Sequence, residues 1–459
     1  MKKILEWLLP FCICLAFIYG RTVCYGPMFD SVAVQDSESY FAAAEMSPFS
    51  LRFFEQQRSA GYPLLIRLSN PSLEHELTLM SEPYFRTEPR LAVQPGTELI
   101  VRNQTVISIL CWAAAAMLAA SSLNGWLAKA LAVLLILGCG FVPQVADWDS
   151  VLSSESLSIS LFVLMMGLLL KVVPNGKGDS LSSWAAAVVL IPVSAWWVFT
   201  RDTNAYFVIG AAVILILSAV IHWIRRSGQR ISALLCGFLL IGLFVFQQGT
   251  FRVSERWLLP MLNNMTANVF PYEERVAFFE ERGMPVDEEL LKTTGSAEYN
   301  HIYDNELFMR WARLHGLETY QQFLLSMPLW SVLQVYENLD SFFEENRQPF
   351  FYGSNEERPH WAEKPGNLLH LLSAGVILID VLLVILTAVR AVRFGGPADI
   401  RSFWTLLILL LGGGLLMSLS YLGEVRSIWR HVLGGVLALR LAVWFGLCAQ
   451  FSKNSEIKE

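Results

Sequence analysis

The chain has 459 residues, of which 54% are hydrophobic and only 16% charged, where an ordinary soluble chain carries about a quarter charged residues. Its formal net charge is −6 and no block of lysine and arginine stands out, so the sequence gives no footing for nucleic acid. Six of the seven cysteines fall inside apolar runs and no CxxC pair occurs, which excludes a disulfide framework and a thiolate zinc site.

Long apolar runs alternate with short charged breaks. A helix of about 20 residues rises about 30 Å, the thickness of the hydrocarbon core, and only a helix satisfies its own backbone there. The sequence predicts about ten spans. The first covers about 4–20; Lys2 and Lys3 precede it, and no small-x-small cleavage site follows, so it reads as a retained signal anchor. The second (about 104–121) and third (about 127–145) are joined by the tight turn Ser122-Leu123-Asn124-Gly125. The fourth to seventh are expected at about 151–173, 182–199, 203–223 and 231–247, and the last three at about 367–389, 402–421 and 431–450.

With ten spans, the short loops holding Lys2, Lys3, Lys129, Lys171, Lys177, Arg225, Arg226, Arg230, Arg390, Arg393, Arg401, Lys453 and Lys458 all fall on one side. Lysine and arginine mark the cytoplasmic side, so both termini are expected there, in a plasma (inner) membrane. Two long segments then face outward, about 21–103 and 248–366. The second holds 19 acidic and 10 basic residues, is too long for a plain connection, and shows helical apolar spacing at 272–279 and 318–325. The expected fold is an all-α polytopic transmembrane bundle in three parts. Residues 1–247 form about seven spans with the first outer loop, 248–366 an extracytoplasmic helical module resting on the membrane, and 367–459 about three spans. Trp257, Trp311, Trp330 and Trp361 suit an interfacial position.

The polar residues within this pattern share one side. Asp36-Ser37-Glu38-Ser39-Tyr40 and Arg58-Ser59-Ala60-Gly61-Tyr62-Pro63 lie in the first outer loop. Asp147-Trp148-Asp149-Ser150 joins spans three and four, and Glu155 opens span four. Arg201-Asp202-Thr203 joins spans five and six, and Glu424 through His431 joins spans nine and ten. Ionisable groups at membrane depth tend to face a cavity and pair there. Carboxylates, arginines and a histidine at one rim of an apolar bundle suit a lipid with a charged head. Each also has a plain reading: Asp36 as a solvated loop acid, Arg201 as a snorkelling cation, His431 as a structural bridge. His301 and Asp304 have metal-ligand spacing, but two ligands are a weak signal.

Asp36-Ser37-Glu38-Ser39-Tyr40 resembles the first-loop acidic motif of C-type (GT-C) glycosyltransferases, membrane enzymes that use polyprenyl-phosphate sugars. Arg58 through Pro63 resembles the Arg-x-x-Gly-Tyr-Pro stretch of bacterial members, and Ser154-Glu155-Ser156-Leu157 their Ser-Glu-x-Leu signature. Arg201-Asp202-Thr203 sits where many have Arg-Pro-Thr, and Glu424 through His431 resembles an acid-then-Arg-His ending. The resemblance covers the spans and first loop. Asp202 replaces the common proline, and the paired Asp-Glu of several mannosyltransferases is absent unless Glu38 substitutes. The module is inserted between spans seven and eight instead of following the spans. These departures leave the acceptor, and a requirement for a divalent metal, open.

The resemblance implies inverting transfer of a sugar from a lipid-linked donor at the outer face. A carboxylate is the natural base for the acceptor proton, and Asp36 takes that role. Cations stabilise the charge that develops on the leaving phosphate, and Arg58, Arg201 and Arg430 suit it. Glu155 and Glu424 are expected to orient those arginines or the sugar, with Tyr62, Asp202 and His431 completing the binding set. The expected partners are the lipid-linked sugar, membrane lipid and an acceptor glycan, lipid or protein. The rivals are a transporter or flippase, which would favour mid-membrane ionisable groups and related halves, and an inactive envelope-assembly scaffold.

Overall fold

The computed structural model describes residues 2–26, 28, 30–78, 94–225, 230–293, 301–344, 347–348, 350 and 358–452. Arg226, Lys453 and Lys458, assigned above to the cytoplasmic side, lie outside the described residues. Among the described residues the chain is all α, and its one piece of β pairing is an isolated bridge between Val32 and Val151. Among the described residues nine helices are long and apolar enough to cross a membrane, and a bent helix pair, taken as one span, brings the number to ten. The protein is a multi-pass membrane protein.

In chain order the spans are span 1 (Lys2–Val23), span 2 (Glu98–Ala120), span 3 (Trp126–Phe141), span 4 (Ser154–Val172) and span 5 (Leu181–Val198). Then come span 6 (Asn204–Ile224), span 7 (Ile231–Val253), span 8 (Gly375–Phe394), span 9 (Pro397–Gly423) and span 10 (Leu433–Gln450). Local chemistry sets the ends. Gly125 has φ +88°, which admits the tight turn from span 2 to span 3. Gly395 closes span 8 in the left-handed conformation, and Pro397 opens span 9 where a missing N–H costs nothing. Span 4 is enclosed on nearly all sides, with 89% of its apolar window buried; it packs on spans 2 and 5, while span 9 packs on both span 6 and span 10. Small residues allow the close crossings: a Cβ on Gly435 would stand 2.7 Å from the Gly413 carbonyl oxygen.

Two expectations are corrected. Span 3 was expected to run to about 145, but the helix stops at Phe141 because Pro143 forces Val142 out of helical geometry (φ −72°, ψ 158°). The chain resumes over 143–150 at 54° to the span. Span 8 was expected from about 367, but residues Glu363–Leu369 form a separate short helix that packs across span 3 and its bent continuation. The buried His370 ring meets the Cys139 carbonyl oxygen at 3.0 Å, which ties the break in place, and the span starts only at Gly375.

The inserted module is helical, including Glu273–Glu280 and Leu317–Ser326, where the apolar spacing pointed. It has its own core, built on Met261, Leu262, Met265, Phe279, Phe308 and Phe323. Trp257 and Trp311 are buried in that core. Trp330 packs against Phe323 and under Arg275, and only Trp361 is exposed.

Candidate functional site

The first loop is sewn onto the turn before span 4. The Val32 amide donates to the Ser150 carbonyl at 2.8 Å, and the Leu152 amide donates to the Val32 carbonyl at 2.9 Å. The Ser37 hydroxyl adds a bond to the Leu152 carbonyl at 2.8 Å. This places Asp36, one residue before the helix Ser37–Ala44, above the start of span 4. The second motif is fixed against the end of span 5. The Gly61 amide donates to the Phe199 carbonyl and the Trp196 indole donates to the Gly61 carbonyl at 2.9 Å. A Cβ at position 61 would lie 2.6 Å from the Phe199 carbonyl, so only glycine allows this approach. Arg58, three residues earlier, is thereby held over Asp36.

Five of the nine sequence-predicted residues meet in one ionic network. Arg58 donates from Nη2 to Asp36 Oδ1 at 2.7 Å and from Nε to Ser39 Oγ at 2.6 Å. Arg430 donates from Nη2 to Asp36 Oδ2 at 2.9 Å and from Nε to Glu155 Oε1 at 2.7 Å. Arg201 donates from Nη1 to the same Glu155 oxygen at 3.1 Å. The order is Arg58–Asp36–Arg430–Glu155–Arg201. Three cations face two anions, an excess of one positive charge. Glu155 is fully buried at the base, whereas Asp36 and Arg58 are 25% and 34% exposed at the mouth.

Burial by itself would raise the Asp36 carboxyl, but the Arg430 and Arg58 guanidiniums outweigh it and hold it well below the usual carboxylate range. Arg430, though buried, is pushed above its ordinary value by Glu155 and Asp36. His431 adjoins the network, its carbonyl oxygen 3.5 Å from the Thr203 hydroxyl. Burial and then the Arg201 and Arg430 charges push its imidazole down to about 3, so the ring is neutral at pH 7.

The other predicted residues lie elsewhere. Tyr62 is fully buried behind the network. Its hydroxyl donates to Gln104 Oε1 at 2.6 Å and its ring meets Tyr40 edge-on at 5.0 Å, so it shores up Tyr40, whose face carries Arg58. Asp202 turns away and accepts from Arg256 Nε at 2.9 Å and Gln247 Nε2 at 2.8 Å. Glu424 accepts from Asn263 Nδ2 at 2.9 Å and from the Arg426 amide at 2.8 Å, and contacts none of the three network arginines among the hydrogen bonds and ion pairs of the described residues.

Several supporting residues escaped sequence reasoning. Arg256 joins Asp202 to the first loop, donating to the carbonyls of Phe54 and Gln56 at 3.1 and 2.8 Å. A second ionic cluster lies behind the network, where Arg21 pairs with Asp149, and Arg347 with Asp147 and Glu363. Between the two clusters stands an aromatic wall. Trp148 packs 6.0 Å from Trp429, and the Arg430 guanidinium lies 5.6 Å over the Phe350 ring. The available signals were Trp429 beside Arg430, and Arg347 and Arg358 flanking a loop; neither names its partner. Among the described residues no group of three or more His, Cys, Asp or Glu side chains is placed to hold a metal ion; His301 and Asp304 pair only with each other in this respect, at 2.7 Å on the exposed surface.

The arrangement offers an anion seat of arginines with a carboxylate at its mouth. No protein-family model matches the chain, and no curated protein matches it. Among solved structures it is similar to the archaeal oligosaccharyltransferase AglB from Archaeoglobus fulgidus in complex with an inhibitory peptide and a dolichol-phosphate. The identity is 13%, the TM-score 0.42, and the match covers 96% of this chain and 50% of that one. It is also similar to the apo form of the Archaeoglobus fulgidus oligosaccharyltransferase at 14% identity and a TM-score of 0.39, over 96% of this chain and 50% of that one. A complex of that enzyme with Zn and sulfate gives 11% identity and a TM-score of 0.39, over 95% and 48%. The chain thus spans about half the length of the solved proteins it resembles.

Proposed function

We propose that the chain is a membrane glycosyltransferase that moves a sugar from a polyprenyl-phosphate donor to an acceptor at the extracytoplasmic face. The observation that carries this reading is the convergence of five motifs, spread over nearly 400 residues of sequence, on the Arg58–Asp36–Arg430–Glu155–Arg201 network. In this reading 1–247 and 367–459 form the membrane part, 248–366 the outer module, and the lysine- and arginine-rich rim with both termini is cytoplasmic.

The donor phosphate enters at the exposed end and competes with Asp36 for Arg58 and Arg430, whose planar guanidiniums suit a phosphate. Glu155 holds Arg430 and Arg201 in place from below. As the guanidiniums turn to the phosphate, Asp36 loses its ion pairs and becomes more basic. The acceptor hydroxyl attacks the sugar's anomeric carbon from the face opposite the phosphate. The carbon–oxygen bond to phosphate breaks, its electron pair leaves with the polyprenyl phosphate, and the acceptor proton passes to Asp36. The arginines neutralise the charge that grows on the leaving group.

The test is purified protein in nanodiscs offered a panel of radiolabelled polyprenyl-phosphate hexoses. Because water substitutes slowly for an unknown acceptor, release of free hexose is scored with transfer to added membrane extract. Turnover of one donor, lost in Arg430→Met, supports the reading. Movement of intact donor across the bilayer without cleavage favours the flippase reading instead.

A further inference from the structure

The inserted module is strongly acidic, yet residues 319–336 form an 18-residue stretch without a single charge. The helix Pro328–Glu337 within it is inside out. Leu329, Val332 and Tyr336 are 71%, 65% and 70% exposed, and Leu325 just before it is 80% exposed. Ser331 is buried instead, its hydroxyl donating to the carbonyls of Leu324 and Met327. A helix facing water shows the reverse pattern.

The neighbours give the depth. Val335 and Leu339 pack against a cluster that includes Phe342, Val376, Met417, Tyr421 and Val436, and the Phe342 ring lies 5.4 Å from Tyr421. Of these, Val376 belongs to span 8, Met417 and Tyr421 to span 9, and Val436 to span 10. Span 10 has 18 residues, about 27 Å of helix, so all of it is needed to cross a core about 30 Å thick. Arg440, the eighth residue of that span, donates to the carbonyls of Leu371 at 3.1 Å and Phe343 at 3.4 Å. Even with the arginine stretched toward the rim, Phe343 is level with the first turns of span 10. Carbonyls freed at a chain break at that depth need a donor inside the protein, and Arg440 supplies it.

We propose that residues 325–336 are seated in the bilayer, with the Leu329–Val332–Tyr336 face of helix Pro328–Glu337 against lipid acyl chains. The occupant follows from the neighbours: the helix packs on span 9 and, through Val335, on the cluster that holds Val376 at the start of span 8, a span whose Leu378, Leu382 and Ile385 are likewise exposed. The module is therefore anchored in the bilayer as well as to the spans. This holds whether or not the site transfers sugars.

The test places single cysteines at Leu329, Val332 and Tyr336, with Glu281 and Lys292, both well exposed on the module, as aqueous references. The background carries Cys12→Ser and Cys24→Ser. Each site is labelled with bimane in phosphatidylcholine nanodiscs holding one copy of the protein. Doxyl-labelled lipid is expected to quench the three helix sites while iodide does not, with the opposite result at the references. Iodide quenching of the helix sites at the level of Glu281 overturns the proposal. Shielding from both quenchers, as under a second copy or another segment, also overturns it. Wild-type protein gives an independent reading without substitution: a diazirine on the lipid acyl chain should label 325–336, and absence of label there refutes the seating.

Discussion

Replacing Asp36 by asparagine keeps its shape and removes one charge. The network then holds three guanidiniums against Glu155 alone, so its formal excess rises from one positive charge to two. Arg430 keeps Glu155 as a partner and the Asp36–Arg58 pair is partly exposed, so the loss of stability is about 1 kcal/mol or less. Turnover depends on an atom that accepts the acceptor proton, and an amide cannot do so. The expected fall in kcat is about 10²–10⁴-fold, equivalent to about 3–5 kcal/mol in the barrier. Donor affinity should hold or tighten, because the seat has become more positive. The assay is steady-state transfer in nanodiscs with the donor varied. A merely structural role for Asp36 predicts the opposite split, a raised KM with kcat retained. A kcat within about threefold of wild type, or a raised KM alone, refutes the base assignment. Glu38→Gln, on an exposed side chain two residues away, is the matched control; Asp30 is unsuitable because it is buried.

Five further outcomes are expected. Because the folded Asp36 carboxyl is depressed, its ion pairs contribute fully above its unfolded pKa of about 3.9 and fade only as pH falls through the lower folded value. Asp36 should therefore give no acid limb between about pH 5 and 8 to the pH profile of kcat/KM, which reports the donor-free protein. Burial pushes Glu424 up to about 7 against the pull of its Asn263 bond, so the cost of ionising it appears as pH rises from its unfolded value toward 7. Thermal melts at pH 5 and 8 should show Glu424→Gln gaining on wild type at the higher pH, and a constant difference would refute this. Gly61→Ala drives a methyl into the Phe199 backbone and should cost about 1–3 kcal/mol, together with donor affinity as Arg58 shifts; melting and KM check it. Arg256→Met leaves Asp202 with Gln247 alone and takes the arginine from two loop carbonyls, and should lower stability by about 2–3 kcal/mol, with partial rescue by Arg256→Lys. For topology, a cysteine at Gly178 should be shielded from an impermeant reagent in intact cells and one at Glu281 should react; the reverse pattern inverts the orientation.

Span existence was legible because hydropathy over 18 or more residues has few alternative readings. Glu155 was legible for the complementary reason: a carboxylate inside an apolar run must find partners. Its pairing with Arg201 and Arg430 followed from shared sidedness, with no local signal needed. What sequence could not show was geometry set by single residues. Pro143 bends the third span, and a hydropathy window averages over it. Leu368, Leu371 and Leu372 look like the start of span 8, but Arg440 and His370 tie that stretch across the rim. Asp202 stood in a recognised motif, yet its nearest cation is Arg256, whose place in the inserted module gives no hint of the contact. Ion pairs between distant segments leave no periodicity to read.

The position of Arg430 has a consequence for biogenesis. It lies 394 residues after Asp36 and is the last of the five network residues to leave the ribosome. Until then the chain holds two separate halves, Arg58 with Asp36 and Arg201 with Glu155. Only when the segment between spans 9 and 10 emerges does one guanidinium bridge them. A nascent chain that stops short of Arg430 already holds spans 1 to 9 yet has no continuous network, so the centre can close only after the spans that flank it have been made.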